Sequence, residues 1–273
     1  MPKKQPRVAL ALAVSSHAVS QAVWTHWLGV LREIHFPGPT YIQHQFYIKE
    51  ARNRLVKNAL EHEDEWDYLW MWDCDQAPNK FHVTYVNEVA EDGRDAIVGG
   101  LYFRREYPFE VIAYDFLPQG HKTTLPNGEA KEEPTDTFRP ISSERVFKLL
   151  ETRGLAEVDG CGTGDLLIRK DVLKRMAEEK GGSDIVFETP DMPGSDFRGG
   201  VWGEDLYFCY EAKQRFGYKI WLDTRRESAH YREQPITSQD YKASHQIHIP
   251  LEQFNARSKL WTPDKGGVIV NAA

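Results

Sequence analysis

The chain contains little cysteine and no excess of basic residues. Its three cysteines, Cys74, Cys161 and Cys209, include no CxxC pair. An odd number without that spacing argues against a disulfide framework and against a cysteine zinc site, and it suits a reducing compartment such as the cytosol. The net charge of −7 argues against a nucleic-acid binder that works by general attraction to phosphates.

Long hydrophobic runs are also absent. No apolar run approaches the roughly 20 residues that cross a bilayer. The apolar run Val8–Val14 follows three basic residues and superficially resembles a short secretory signal. Its length is at the lower limit for such a signal, and the same run is typical of a buried first strand before a polar loop. We predict the strand, and we expect the protein to be cytoplasmic.

Strand and helix patterns alternate through the first hundred residues. Apolar strand patterns cover 7–15, 41–46, 68–72 and 96–98, the last ended by Gly99 and Gly100, and helical patterns cover 20–31, 51–60 and 81–90. Such alternation is typical of a mainly parallel sheet covered by helices. We therefore predict an α/β, Rossmann-like fold with a mainly parallel mixed sheet flanked by helices.

The rest of the chain adds further elements and two turn-rich segments. Strand patterns cover 101–103, 109–114, 166–168 and 218–222, and helical patterns begin near 171 and 204. Residues 118–140 are polar, with a hairpin or loop tip at 126–128. Residues 181–203 form a glycine- and proline-rich loop, long enough to predict a functional lid or a disordered insertion. The pattern is lost after about 235, so we predict one domain over 1–234 and an extension over 235–273 that wraps it.

Two aspartates directly follow the apolar run 68–72. Asp73 and Asp75 lie two residues apart, separated by a tight bend. In an open α/β sheet, ligands bind beyond the carboxyl ends of such strands. Carboxylates delivered to that edge can hold a hard divalent cation, which in turn can hold a diphosphate. The structural alternative is a strand-ending turn in which the aspartates hydrogen-bond the backbone.

Two further elements carry groups that could join this site. A glycine-rich approach delivers Glu204 and Asp205 into the first turn of a helix. A carboxylate there could act as a general base, although acids at that position also complement the helix dipole. His230 follows a strand and the polar segment 223–229. If its imidazole reaches the same sheet edge, it completes a mixed oxygen and nitrogen site suited to Mn²⁺ or Mg²⁺; a lone histidine is more often a surface residue.

In this order, the pieces resemble the GT-A class of nucleotide-sugar glycosyltransferases, particularly small family-2-like enzymes of bacteria and phages. The resemblance covers about residues 7–232. Its motifs are a first strand and donor loop at 8–16, Ala51-Arg52-Asn53, Asp73-Cys74-Asp75, residues 98–102, Gly162-Thr163-Gly164 before 166–168, Gly203-Glu204-Asp205-Leu206, and Trp221-Leu222-Asp223 followed by His230. It implies a GT-A fold.

The resemblance also implies roles for the metal-binding and catalytic residues. Asp75 would bind the metal directly, and Asp73 would contact it through water or bind the donor ribose. His230 would be a further metal ligand or a contact to the diphosphate. Asp205 matches the catalytic base of inverting enzymes, with Glu204 as its structural neighbour.

The donor pocket is implied in the same way. Ser15 belongs to the donor loop, and Arg52 and Asn53 would line the donor pocket. The backbone around Gly162 would approach the donor or acceptor sugar. Apart from the resemblance, Trp202 lies beside the two acids in the sequence and could stack against a sugar face or simply belong to the core.

We therefore interpret the sequence as a metal-dependent glycosyltransferase that uses a UDP- or GDP-sugar and an acceptor hydroxyl. An inverting mechanism is favoured, and retention stays open. The acceptor stays open among a glycan, a lipid carrier, a protein and modified DNA. Three rivals are a nucleotidyltransferase that makes nucleotide sugars, a metal-dependent nuclease and a non-catalytic carbohydrate-binding module. The segment 15–18 lacks the glycine and lysine of a nucleotidyltransferase phosphate loop, and the acidic balance weighs against the nuclease.

Overall fold

The chain forms a layered α/β structure. The computed structural model describes residues 6–14, 21–33, 38–44, 47–78, 81–106, 108–124, 128–133, 136–189, 202–231, 235–236, 238–239 and 241–242. The helices are α1 (Gln21–Glu33), α2 (Ile48–Glu61), α3 (His82–Asp92), α4 (Ser143–Thr152), α5 (Lys170–Lys180) and α6 (Glu204–Tyr210). A 3-10 turn spans Glu63–Glu65, and a π-helical turn, Glu211–Arg215, continues α6.

Within the described residues, the strands form one central sheet and three small ones. They are β1 (Val8–Val14), β2 (Thr40–His44), β3 (Tyr68–Asp73), β4 (Gln76–Ala77), β5 (Ile97–Leu101), β6 (Ala113–Leu117), β7 (Lys122–Thr124), β8 (Ala130–Glu132), β9 (Thr137–Pro140), β10 (Leu155–Val158), β11 (Gly160–Cys161), β12 (Asp165–Arg169), β13 (Ile220–Glu227), β14 (Ala229–Tyr231) and β15 (Pro235–Ile236). The small sheets are β11-β6-β9, β15-β14-β4 and the hairpin β7-β8.

The central sheet has seven strands in the order β10-β13-β5-β12-β3-β1-β2. β1 pairs in parallel with β2 and β3, and β13 pairs in parallel with β5. β12 runs antiparallel between β3 and β5, and β10 runs antiparallel at one edge. The carboxyl ends of β1, β2, β3, β5 and β13 therefore meet at one edge. This confirms the predicted α/β class with its mixed, mainly parallel sheet.

Side chains of the central strands alternate between two apolar cores. In β1, Ala9, Ala11 and Ala13 face the core that includes α2, α5 and α6, whereas Leu10 and Leu12 face the core that includes α1 and α3. This alternation is the period of two expected for a strand that is buried on both faces. The small alanines fill the face on which α2 packs against β1.

Two strands are longer than the sequence predicted. Gly99 and Gly100 do not end β5 but lie inside it, because their missing side chains leave room for neighbours. A Cβ at Gly100 would lie 2.0 Å from the Asp165 carboxylate, and one at Gly99 would lie 2.8 Å from the Cys161 sulfur. The segment 223–229, predicted as polar connection, is mostly β13, because its charged side chains find buried partners inside the protein.

The remaining predictions of organisation fall partly outside the described residues. Strands β7 and β8 pair on either side of the predicted hairpin tip at 126–128. Within the C-terminal extension, β15 pairs with β14, and Tyr241 is buried against Phe103 and Phe147. The loop over 190–201 and the tail from 243 lie outside the described residues, and the domain boundary at 234 stays a prediction. None of the helices in the described ranges combines the length and apolarity that a membrane crossing requires.

Candidate active site

Asp75 and His230 are brought together by a small strand pairing at the carboxyl edge of the sheet. Asp73 ends β3, and the chain turns through Asp75 into β4, which pairs with β14 so that His230 lies opposite Gln76. The Tyr231 amide also donates to the Asp75 carbonyl at 2.8 Å. As a result, His230 Nε2 lies 3.4 Å from Asp75 Oδ2, although 155 residues separate them in the sequence.

The orientation of the His230 ring is fixed from its other side. His230 Nδ1 lies 2.7 Å from the carbonyl oxygen of Phe103, and the Tyr102 ring packs edge-on against the imidazole with centroids 5.6 Å apart. A carbonyl only accepts hydrogen bonds, so Nδ1 carries a proton and donates it. Nε2 is therefore the ring atom that faces Asp75, and metal-binding histidines are commonly oriented by such a hydrogen bond from their other ring nitrogen.

Asp75 is paired with a second cation that the sequence reading missed. Arg105 Nη1 lies 2.9 Å from Asp75 Oδ2, the same oxygen that His230 approaches. Burial alone would raise the pKa of Asp75, but the hydrogen bond and charge of His230, followed by the charge of Arg105, lower it below the ordinary value. Asp75 is therefore an ionised carboxylate with a partly exposed side chain.

Arg52 connects Asp73 with the start of α6. One terminal nitrogen of the Arg52 guanidinium donates to both Asp73 oxygens, at 2.9 and 2.8 Å, and the other donates to Glu204. The Arg52 side chain is only 5% exposed. Burial raises the pKa of Asp73, and the charge of Arg52 opposes that shift. Arg52 therefore holds the end of β3 against Glu204, and its terminal nitrogens are already engaged by carboxylates.

Asp205 is the acid of this cluster that lacks an ion-pair partner among the described residues. It lies in the first turn of α6, where its Oδ1 accepts the Leu206 amide at 2.8 Å. Burial raises the pKa of Asp205 to about 6, with Glu204 adding to the shift and Arg52 opposing it. A carboxylate with that pKa can accept a proton near neutral pH.

The glycines near residue 162 are needed for close packing around Tyr102. A Cβ at Gly162 would lie 2.0 Å from the Tyr102 hydroxyl oxygen. The Gly164 amide donates to that hydroxyl at 3.1 Å, and burial raises the pKa of Tyr102 well above its usual value. The backbone predicted to approach a sugar is therefore packed against Tyr102, which in turn contacts His230.

Three other predicted residues have different surroundings. Ser15 lies outside the described residues. The Asn53 side-chain amide exchanges two hydrogen bonds of 2.8 Å with the Phe187 backbone, so it anchors that segment to α2; it also lines a cavity of about 330 Å³. Trp202 is 94% buried, with its ring packed among Phe116, Phe138 and Tyr210. Its ring thus belongs to an aromatic cluster and does not form an open stacking surface.

A second charged cluster, also missed by the sequence reading, lies within the sheet. Asp165 Oδ1 accepts from Trp70 Nε1 at 2.8 Å and from Arg226 Nη1 at 2.9 Å, and its Oδ2 accepts from the Ser228 hydroxyl at 3.0 Å. All four residues are buried. The signal available in the sequence was an acid, Asp165, directly before the apolar run 166–168.

The residues at the edge fit a divalent cation in part. Asp75 and His230 offer an oxygen and a nitrogen 3.4 Å apart, a donor pair that suits Mn²⁺ or Mg²⁺. Asp73 is less suited to direct binding because both of its oxygens accept from Arg52. Within the described residues, no group of three or more potential ligands is preassembled for a metal. A bound cation would therefore take its remaining ligands from water or a diphosphate.

Comparison with known proteins gives matches in structure only. No protein-family model and no curated protein matches the chain. The crystal structure of A197 from STIV matches with a TM-score of 0.52 at 16% identity, over 86% of this chain and 91% of that chain. GalNAc-T7, solved with UDP, GalNAc and Mn²⁺, matches with a TM-score of 0.49 at 10% identity, over 90% of this chain and 48% of that chain.

A third match comes from a different class of enzyme. The 4-diphosphocytidyl-2C-methyl-D-erythritol synthase from Anaerococcus prevotii matches with a TM-score of 0.42 at 6% identity, over 89% of this chain and 96% of that chain. At such identities the likeness concerns the fold. The fold is the predicted α/β GT-A arrangement, and the family-2-like assignment stays a prediction.

Proposed function

We propose that this chain is a glycosyltransferase that moves a sugar from a nucleoside diphosphate to an acceptor hydroxyl. The observation that carries the proposal is Asp205, a carboxylate whose pKa is raised to about 6 and which has no ion-pair partner among the described residues. It belongs to the same cluster as Glu204, Arg52 and Asp73, at the edge of the sheet where α/β folds bind ligands.

Asp205 is assigned as the general base. An acceptor hydroxyl must lose its proton as it attacks the sugar, and a carboxylate with a pKa near 6 is ionised at neutral pH yet basic enough to take that proton. Base-assisted attack from the face opposite the leaving group inverts the anomeric carbon. We therefore propose the inverting outcome, with Glu204 and Arg52 positioning the start of α6.

Asp75 and His230 are assigned to the diphosphate end of the donor. The His230 ring is held by the Phe103 carbonyl, so its Nε2 faces Asp75 Oδ2. These two side chains would hold Mn²⁺ or Mg²⁺. A bound divalent cation supplies Lewis-acid stabilisation of the charge on the departing diphosphate. Asp73, fixed by Arg52, would contact the donor or the cation through water.

The first experiment is a donor panel. The protein is incubated with UDP-, GDP- and TDP-sugars, with Mn²⁺ or with EDTA, and the released nucleoside diphosphate is measured. Metal-dependent release supports the proposal. Chemistry on pyrophosphate would indicate a nucleotidyltransferase, and sugar binding without release would indicate a carbohydrate-binding module.

Two variants then separate the assigned roles. Asp205→Asn should reduce transfer at least about 100-fold while donor affinity changes little, since a general base contributes roughly 10²–10⁴-fold. Asp75→Asn should instead weaken metal-dependent donor binding. Asp64→Asn, on the exposed 3-10 turn, is the matched control and should behave as the wild type. Near-full transfer by Asp205→Asn would overturn the base assignment.

A further inference from the structure

Arg105 contacts the Asp75 oxygen that also faces His230, the partner with which Asp75 would hold a cation. A role for Arg105 inferred from this contact rests on the proposed function. Its Nη1 lies 2.9 Å from Asp75 Oδ2, and His230 Nε2 lies 3.4 Å from the same oxygen. A divalent cation bound between Asp75 and His230 would take that oxygen as a ligand. The guanidinium and the cation therefore compete for one carboxylate oxygen.

Backbone pairing holds the segment that carries Arg105 in place. Phe103 pairs with Val111 through an isolated bridge, and the Arg104 amide donates to the Glu110 carbonyl at 2.8 Å, so residues 103–106 are held beside residues 108–111. Phe103 is fully buried, and its carbonyl accepts the hydrogen bond from His230. Arg105 is thus attached, two residues away, to the group that orients the candidate metal ligand.

The Arg105 side chain can change partners at little energetic expense. It is 43% exposed, and Asp75 is 30% exposed, so solvent screens their attraction and the pair contributes little to stability. A guanidinium presents a planar fork of donors that matches phosphate oxygens. A donor diphosphate bound to a cation at Asp75 would bring such oxygens close to Arg105.

We propose that Arg105 neutralises Asp75 while the site is empty and transfers to the donor diphosphate when a divalent cation takes Asp75 Oδ2. Arg105 would then act as a second positive charge on the leaving group. It would also disfavour binding of the cation without a nucleotide. The cation and the diphosphate would accordingly bind more tightly together than separately.

The first test measures Mn²⁺ binding without nucleotide, by the loss of the free-ion electron paramagnetic resonance signal. Arg105→Gln removes the competing charge and should tighten Mn²⁺ binding about tenfold, equivalent to about 1.4 kcal/mol. Arg104→Gln is the matched control, because Arg104 contacts Glu110 and Tyr114 and not Asp75. Unchanged or weaker Mn²⁺ binding by Arg105→Gln would overturn the proposal.

The second test measures the affinity for UDP and GDP in saturating Mn²⁺, by calorimetry. For whichever nucleotide binds the wild type, Arg105→Gln should weaken binding about tenfold. Arg105→Lys keeps the positive charge but lacks the planar fork of donors, so its nucleotide affinity should lie between those of the wild type and Arg105→Gln. A structural role for Arg105 would move Mn²⁺ and nucleotide affinities in the same direction, whereas the proposal requires opposite directions.

The two tests also separate this inference from the proposed function. If neither the wild type nor Arg105→Gln binds Mn²⁺, both the metal assignment and the Arg105 proposal are wrong. If the wild type binds Mn²⁺ and a nucleoside diphosphate but Arg105→Gln changes neither affinity, only the Arg105 proposal is wrong.

Discussion

The protein contains two charged clusters that differ in how completely their charges are paired. In the inner cluster, around Asp165 and Arg226, each oxygen of Asp165 has a donor and the side chains are at most 1% exposed. In the edge cluster, Asp73 and Asp75 are 23% and 30% exposed, and Asp205 has no ion-pair partner among the described residues. Removing one partner of a buried charge pair is strongly destabilising, whereas incomplete pairing at an accessible edge leaves groups free for chemistry.

The largest expected effect comes from breaking the inner cluster. Arg226→Met would leave Asp165 charged and buried without its guanidinium partner. Loss of one partner of a buried ion pair typically lowers the free energy of unfolding by about 3–5 kcal/mol, and urea denaturation measures it. Arg94→Met removes an exposed pair with Asp92 and should leave the unfolding midpoint unchanged. Equal effects of the two variants would mean that burial of the inner cluster has no energetic consequence.

The second prediction breaks the edge cluster at Arg52. Arg52→Met would leave Asp73 and Glu204 facing each other without the cation between them. We expect the free energy of unfolding to fall by about 2–3 kcal/mol, together with a loss of transfer. The double variant Arg52→Met/Glu204→Gln should recover part of that stability but not the activity. Arg54→Met, on the exposed part of the same helix, is the control.

The two clusters also differ in how far the sequence predicted them. The edge cluster was found at Asp73, Asp75, Glu204 and Asp205 because short motifs follow strands or begin a helix. The clamp by Arg52 was not, because its partner Glu204 lies 152 residues away, and a pairing over that distance leaves no local pattern. The contact between Arg105 and Asp75 was not predicted either, because the sequence around Arg105 has no apolar periodicity.

The inner cluster was not predicted, because charged residues in a sequence usually indicate a segment that is exposed to solvent. Residues 223–229 contain four charged residues, two hydroxyl residues and one alanine, a composition that suggested a connection outside the sheet. In the structure, Asp223 and Arg226 are completely buried and β13 runs through both. The two adjacent glycines in β5 were a sign of this buried cluster, because a side chain at Gly100 would leave no room for the Asp165 carboxylate. Apolar strands were predictable; a strand with buried, paired charges was not.

The third prediction uses acid to probe the surroundings of the inner cluster. His82 is buried with Nδ1 3.8 Å from Asp165 Oδ2, and burial lowers the pKa of His82 to about 4. Between pH 6.5 and 4 the unfolded chain takes up a proton at this residue and the folded chain does not. Stability should therefore fall by about 2–3 kcal/mol as the pH drops through that window.

A matched pair of variants isolates the contribution of His82. His82→Phe should make the free energy of unfolding less sensitive to pH between 6.5 and 4, measured by urea titrations at several pH values. His62→Phe, at an exposed histidine, should leave that dependence unchanged. An identical pH dependence for His82→Phe and the wild type would show that His82 titrates normally in the folded protein.

The smallest expected effect is a gain in stability from the residue assigned as the base. Because burial raises the pKa of Asp205 from 3.8 to about 6, the folded chain loses stability as the pH rises between those two values. Asp205→Asn should therefore increase the free energy of unfolding by about 1–2 kcal/mol at pH 8, and the gain should vanish below pH 4, where the carboxyl is protonated in both states. Asp165→Asn should instead lower the free energy of unfolding, because the buried Asp165 carboxylate accepts hydrogen bonds from Trp70, Arg226 and Ser228. A variant at 205 that loses transfer while gaining stability is the signature of a group held in an unfavourable state for its chemistry, whereas a loss of stability at pH 8 would place Asp205 with the paired acids of the inner cluster.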